Sequence, residues 1–350
     1  MPGTITQASR RTRVAARVRI KDVAAHAGVS PKTVSNVIND YEHVSETTRA
    51  AVRESIETLG YRVNIAGRQL RRGRTGMIAL AVPELDVAYF SELAKYVMAA
   101  ADRRGSTVLI HQTGGRRESE LAALNGFDAQ FTDGVVLNAL TLHPRDLENH
   151  QGHLPVVLLG ERHTGSLDHV GIDNVAAARE ATEHLLARGR RRIGVIGGSL
   201  RGRQGTDRLR TTGHRQALKA AGLPFDSDLV VPVDAFHWHD GARAAVDLVS
   251  RPDRPDALLC LNDHLALGAV RALHEHGMRV PDDLDVVGFD DIQAASFSIP
   301  TITTVAPDKE GIARAAVDLL LDRIERPDAD TGSAEHVVGY RLIVRESSGG

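Results

Sequence analysis

The stretch IKDVAAHAGVSPKTVSNVIND (residues 20–40) carries the most specific pattern in the chain. Ile20, Val23, Ala24 and Ala27 recur at i, i+3, i+4 and i+7, which predicts a helix that stops at Gly28. Ser30 is a natural N-cap and Pro31 suits a first helical turn, so a second helix is expected through Asn39. Helices joined by so short a turn nearly touch. Ala24 supplies the small contact residue, Gly28 the turn, and Val23, Val29, Val34 and Val37 an inner apolar face. The second helix then exposes Pro31, Lys32, Ser35 and Asn36. In a helix-turn-helix, the N-terminal residues of the second helix reach base edges in the major groove. Asn bridges adenine N6 and N7, and Lys donates to guanine. The hydroxyls of Ser30, Thr33 and Ser35 suit phosphates, which position a module without reading sequence. A helical hairpin with a purely structural role is the competing reading at this point. A third helix is expected over residues 45–59, with Val52, Ile56 and Leu59 on one face and Gly60 at its end. Its start is soft, because Thr48 stands where a full capping box has an acidic residue.

Outward from this segment, charge is unevenly spread. The 350 residues carry 43 Lys+Arg and 45 Asp+Glu, a net charge of −2. Through Thr75 there are 14 Lys+Arg against 6 Asp+Glu; the remainder has 29 against 39. A basic first fifth on an acidic body is a nucleic-acid footprint, although a solvated tail explains five of the arginines, all before Ile20. At 42% hydrophobic and 25% charged, the composition is that of a globular protein of about two or three domains. The single cysteine, Cys260, excludes an internal disulfide and a Cys-rich zinc site, and fits a cytoplasmic location. Apolar runs such as residues 77–82 are strand-sized, so no membrane partner is expected. The first 19 residues, read as a disordered basic tail, hold no apolar signal-peptide core.

From Met77 the periodicity alternates between strands and helices. Strands are expected near residues 77–82, 107–111, 134–137 and 156–159, then near 193–196, 229–233, 257–261 and 286–289. Helices intervene near 90–103, 118–131, 144–149, 176–187, 214–221, 241–250 and 265–276. A late helix at 312–324 and a final strand at 337–344 close the chain. Two such series predict two α/β lobes built on parallel sheets. Facing lobes of this kind bind ligands at the C-terminal ends of their strands. Reading those ends selects Glu84, Gln112, Glu161, Asp234, Asn262, Asp263, Asp290 and Asp291. Acceptors and donors of this mixture suit sugar hydroxyls. Tyr89, Phe90, Phe236 or Trp238 offer faces for stacking. Asp263 is equally well read as a helix cap, and Asp291 as a turn residue.

The strings IKDVAAHAGVSPKTVSNVIND, VSETTRAAV and LGYRVNIAGRQL resemble the DNA-binding head of the lactose-repressor (LacI/GalR-type) family, and the resemblance extends from Ile20 to Arg345. It implies an α/β fold: an N-terminal helix-turn-helix head plus a two-lobed, periplasmic-binding-protein-like core of parallel sheets. The implied division is a head over residues 20–62 and a hinge helix and linker over 63–75. The core N-terminal subdomain takes 76–172 with 305–333, and the C-terminal subdomain 173–304 with 334–347. The DNA-facing set becomes Ser30, Pro31, Lys32, Thr33, Ser35, Asn36, Asn39, His43, Arg68 and Leu70. Leu70 would wedge between base steps of the minor groove from a hinge helix over 64–71. Val63 and Gly67 depart from the family's usual proline and alanine, and a helix-interior glycine costs about 1 kcal/mol. That hinge is expected to fold only on DNA.

In the core, RLRTTG resembles the family's Arg-x-x-Gly motif and makes Arg210 a ligand-contacting arginine, with a structural ion pair as the other reading. CLNDHLALGA places Asn262 and Asp263, VVGFDD places Asp290, VGIDN contributes Asp173, and Phe236 matches an aromatic five positions before Gly241. Pro307 stands where several members have a polar residue. The effector-binding set is therefore Tyr89, Phe90, Gln112, Glu161, Asp173, Arg210, Phe236, Asn262, Asp263 and Asp290. The implied partners are pseudo-palindromic double-stranded operator DNA, a mono- or disaccharide effector and a second copy in a homodimer. A corepressor-dependent regulator answering to a non-sugar metabolite is the alternative.

The remaining signals point away from chemistry. His237 and His239 are read as a solvated loop, and His274 and His276 as facing apart on a helix, so no metal site is expected. Arg188–Arg192 is read as a solvated helix end. GVIGGS lacks phosphate-loop spacing and no Gly-x-Ser-x-Gly is present. A two-lobed α/β enzyme therefore lacks both nucleophile and cofactor loop; no cofactor is expected.

Overall fold

Two units, Met1–Arg74 and Thr75–Gly350, divide the chain. The computed structural model describes residues 18–38, 41–61, 74–126, 131–148, 150, 154–160, 167–200, 205–327 and 332–349. The expected tail, the hinge helix over 64–71, and the candidate residues Asn39, Arg68, Leu70 and Glu161 lie outside the described residues.

The first unit holds α1 (Ile20–His26), α2 (Pro31–Ile38) and α3 (Glu46–Leu59). Gly28 takes φ +66°, a left-handed turn that a side chain rarely adopts, and sends the chain into α2. Ser30 Oγ accepts the Thr33 amide at 3.0 Å, the N-cap expected of it. Ser45 Oγ accepts the Thr48 amide at 3.3 Å, so α3 is capped without the acidic member of the box. Val23, Ala24, Val34, Val37 and Val52 are buried together. Each fully buried valine contributes about 1.5–3 kcal/mol, which holds three short helices in one arrangement. His26 Nδ1 meets Ser55 Oγ at 2.9 Å and adds a polar tie between α1 and α3.

The second unit contains two six-stranded sheets. The first joins β1 (Met77–Val82), β2 (Thr107–Gln112), β3 (Val135–Asn138), β4 (Val156–Leu159), β5 (Asp168–Gly171) and β11 (Glu335–Val337), in the order β11-β5-β4-β3-β1-β2. The second joins β6 (Ile193–Ile196), β7 (Val230–Val231), β8 (Ala257–Cys260), β9 (Asp285–Phe289), β10 (Thr303–Pro307) and β12 (Tyr340–Ile343), in the order β12-β10-β9-β8-β6-β7. All pairings are parallel except β10 with β12. The central strands are wholly buried and almost entirely apolar, Asn138 at the end of β3 being the polar exception, because helices cover both faces. Both sheets follow one doubly wound order, whose reversal beside the first strand of each series opens a crevice at the strands' C-terminal ends.

Among the described residues, three crossings join the lobes, and two fall away from the expected boundaries. The first lies between β5 and the helix Asn174–Ala187. β10 belongs to the second sheet, so the chain returns to the first lobe only at Asp308, where the helix Lys309–Glu325 begins, rather than at 305. The expected single strand over 337–344 is two strands in different sheets. β11 pairs with β5, Gly339 follows, and β12 pairs with β10. The final crossing therefore falls near 338–339 instead of 333.

The arginine run is also more than a solvated helix end. Arg188 Nε and Arg190 Nη2 reach the Asp285 carboxylate at 2.6 and 2.8 Å, and that carboxylate is fully buried. Two guanidiniums offset the desolvation of one carboxylate and pin the helix end to the start of β9.

Candidate functional site: a helical reading head and a cleft between lobes

On the head, Pro31 and Lys32 are exposed at the start of α2, while Thr33, Ser35 and Asn36 are half-buried on its first two turns. Val34 and Val37 occupy the opposite face and are buried. The 3.6-residue period therefore separates a packing face from a polar face along eight residues. His43 is exposed beyond α2 and meets the Tyr41 ring edge-on at 5.3 Å. No acidic side chain stands in the first turn of α2, which leaves the positive end of its helix dipole available to a phosphate.

In the core, a cavity of about 490 Å³ opens between the two sheets at their C-terminal ends. Six of the expected effector residues line it: Tyr89, Phe90, Arg210, Phe236, Asn262 and Asp290. Arg210 is the best-held of them. It projects from the helix Thr206–Ala220, its Nε donates to Asn174 Oδ1 at 2.9 Å, and an Nη donates to the Leu261 carbonyl. Its guanidinium lies 4.0 Å from the Phe289 ring centroid and 4.0 Å from Asp290 Oδ1. Arg210 therefore stands beside a carboxylate and also lines the cavity. Burial pushes the Asp290 carboxyl above the ordinary carboxylate range, against the pull of Arg210 and Lys309. Asp290 and Asp291 take φ of 103° and 48°, rare for non-glycine residues, directly at the end of β9. Such strain is retained where surrounding structure over-determines it, and it turns Asp290 into the crevice. Burial also raises the Tyr89 phenol, which stays protonated and able to donate.

Gly213, the last residue of the Arg-x-x-Gly string, explains the motif's spacing. A Cβ there would sit 2.2 Å from the Val175 carbonyl oxygen, so only glycine lets the two helices touch one turn beyond Arg210. Gly197, at the end of β6, plays the matching role for the aromatic wall: a Cβ there would lie 3.0 Å from the Phe236 ring.

Three expected residues stand outside the lining. Gln112 is exposed at the end of β2 and accepts the Leu85 amide at 3.2 Å. Asp173 caps the helix Asn174–Ala187, accepting from Val175 and Ala176. Asp263 is fully buried, accepting from the Ile292 amide at 2.9 Å and the Thr304 hydroxyl at 2.7 Å. Burial drives its carboxyl well above the ordinary range. The cap of the helix Asp263–Glu275 is Asn262, whose Oδ1 accepts the Leu265 amide at 2.8 Å and whose Nδ2 donates to the Phe236 carbonyl at 3.0 Å. Asn262 therefore holds the aromatic wall as well as lining the cavity. Trp238 and His239 open the helix Trp238–Val249 instead of sitting in a loop, and the indole is half exposed.

The lining also includes Asn138, Asn174 and Asp207, which strand-end reading missed, together with Asp234 and Pro307. Asn138 is the last residue of β3, one position past the expected strand end. Asn174 sits beside Asp173, and nothing local distinguishes the cap from the cavity-facing neighbour until the helix entry is placed.

A helix-turn-helix with an exposed polar face, on a chain whose second unit carries a two-lobed ligand cleft, defines a ligand-responsive DNA-binding regulator. Residues 19–64 match the bacterial regulatory proteins of the lacI family, and residues 182–348 match a periplasmic binding protein-like domain. The HTH-type transcriptional repressor PurR of Klebsiella pneumoniae (strain 342) is 34% identical over 335 residues, covering 94% of this chain and 96% of that protein. The lac repressor dimer bound to operator and the anti-inducer ONPF superposes with a TM-score of 0.82 at 27% identity, covering 95% of this chain and 99% of that one. The transcriptional regulator CelR in complex with cellobiose gives 0.70 at 33% identity, covering 95% and 100%. The chain belongs to the lacI family of bacterial transcription regulators. These relatives are transcription regulators rather than enzymes, which sets the enzyme reading aside.

Proposed function

We propose that this chain is a cytoplasmic repressor that binds pseudo-palindromic double-stranded operator DNA as a homodimer, and whose operator affinity is changed by a mono- or disaccharide held between its lobes. On the DNA side, Pro31, Lys32, Ser35 and Asn36 read the major groove, while Ser30 and Thr33 face phosphates. Two-fold symmetry of the protein then requires two related half-sites.

The observation that carries the sugar reading is the cavity's chemistry. Arg210 and the Tyr89 hydroxyl donate, Asp290, Asp207 and Asp234 accept, and Asn138 and Asn174 do both. Each sugar hydroxyl both donates and accepts, so a ring bearing several of them uses this mixture fully. Phe90 and Phe236 bring apolar faces from opposite lobes. The likeness to a regulator in complex with cellobiose supports the same class. The PurR relatives favour a second reading, a purine-related effector.

A thermal-shift series separates the two, because bound ligand stabilises by mass action. Cellobiose, its component monosaccharide, guanine and hypoxanthine are each added to the full chain and to Arg210→Ala. A saccharide is expected to raise the wild-type melting temperature and to lose that effect in Arg210→Ala, while gel shifts show operator binding intact. Stabilisation by a purine base and by no saccharide would overturn the sugar reading in favour of the second. Stabilisation of Arg210→Ala equal to wild type would remove Arg210 from the site.

A further inference from the structure

Beside the effector cavity, three ligand-bearing side chains meet from two lobes. Glu84 and Asp86 follow β1 in the first lobe, and His237 is the N-cap of the helix Trp238–Val249 in the second. His237 Nε2 lies 2.8 Å from Glu84 Oε2. One ligand atom from each of the three lies within 4.8 Å of the other two. Both side chains of the His237–Glu84 pair are 34% exposed, so an ion has a path in from solvent.

A second observation lies behind this triad. His264 is only 5% exposed, and among the described residues its Nδ1 has no hydrogen-bond partner. Its Nε2 faces the Ala88 amide across the lobes at 3.5 Å, and the Trp238 ring packs edge-on against it at 5.3 Å. Sequence reading considered His237 only with His239, its near neighbour along the chain. The carboxylates that complete the set come from the other lobe and become visible only in the fold.

We propose that Glu84, Asp86 and His237 form a site for a divalent first-row transition metal of the zinc class, which ties the first lobe to the second at the edge of the effector cleft. An imidazole with two carboxylates is a zinc-type donor set, whereas calcium and magnesium take oxygen ligands alone. Zinc bonds of about 2.0–2.2 Å set ligand atoms about 3.3–3.5 Å apart, so His237 Nε2 and Glu84 Oε2 must part slightly from their 2.8 Å contact as the metal takes its place between them. Without a metal, the same contact is a partly exposed hydrogen-bond-length contact between an imidazole and a carboxylate, worth little in water. A metal bonded to both lobes would instead favour the lobe arrangement described above, independently of which effector fills the cavity.

Isothermal titration of the full chain with zinc chloride at neutral pH tests this. Wild type is expected to bind zinc, and His237→Ala and Asp86→Asn should each weaken that binding about tenfold or more. His239→Ala, an exposed neighbour, should bind as wild type does. Absence of zinc binding by wild type would overturn the site, as would His237→Ala and Asp86→Asn variants that bind with unchanged affinity and stoichiometry.

Discussion

His214 is buried on the helix Thr206–Ala220, with its Nδ1 3.2 Å from the Thr182 hydroxyl and its ring against Phe225. The Thr182 hydroxyl donates to the Ala178 carbonyl at 2.8 Å, so it accepts from His214 and fixes a neutral imidazole with its proton on Nδ1. Burial pulls the pKa down to about 4, from 6.5 in an open chain. Between those values the unfolded chain binds the extra proton and the folded one does not. Stability therefore falls as pH falls through that window, by roughly 3 kcal/mol at its limit. Asp290 acts in the opposite sense, since its raised pKa makes the folded state the better proton binder. The His214 contribution is isolated by comparing wild type with His214→Gln, which keeps a donor toward Thr182. Urea unfolding from pH 6.5 to 4 should show wild type losing stability more steeply than the variant. Parallel curves would refute it. The same scale shows why residue roles were only partly legible. Asp173 and Asp263 carry the chemistry of a ligand-binding carboxylate, yet backbone amides of the helix entry and of Ile292 claim them.

At the scale of elements, the helix Thr206–Ala220 both aims Arg210 and packs on the helix Asn174–Ala187 through Gly213. A Cβ at Gly213 would meet backbone on two sides, the Val175 carbonyl oxygen at 2.2 Å and the Arg179 amide nitrogen at 2.9 Å. Backbone cannot swing aside as a side-chain end can, so Gly213→Ala must part the helices. The expected cost is about 1–3 kcal/mol, read as a lower urea midpoint with an unchanged slope. A midpoint equal to wild type would mean that the interface yields freely and that the motif's glycine has another purpose. Elements with apolar runs were legible from sequence: β1, β4, β6 and β8 fall within a residue of their expected bounds. The missed strands have physical causes: β5 is four residues long and begins with the buried polar pair Asp168 and His169. β11 is exposed along its length and has no apolar signature. β10 begins with two buried threonines, one of which donates to Asp263, and ends in Pro307. Neither reads as a strand until its partners are present, and both mark where the chain changes lobes.

Across the second unit, the lobes lean on polar contacts as well as on their three crossings. Glu92 of the first lobe accepts the Gln293 amide of the second at 2.8 Å and pairs with Lys309, whose Nζ also donates to the Asp291 carbonyl at 3.0 Å. Contacts of this kind can re-form in a second arrangement, and a ligand shifts the balance only by its differential affinity for the two. The two-sheet cleft was legible from strand alternation, but where the second and third crossings fall was not, because it depends on β10 and β11. If the proposed saccharide acts through the lobes on operator affinity, thermodynamic linkage fixes a reciprocal effect. Saturating operator must change saccharide affinity by the same factor by which saturating saccharide changes operator affinity. Couplings of this type run to about 1–3 kcal/mol, or roughly 5- to 150-fold. Saccharide titrated into the full chain with and without operator duplex gives one factor, and operator titrated with and without saccharide gives the other. Equal factors are expected, below one for an inducer and above one for a corepressor, so the same pair of titrations fixes the sign of regulation. A saccharide affinity untouched by operator would refute the coupling even if each ligand bound tightly on its own.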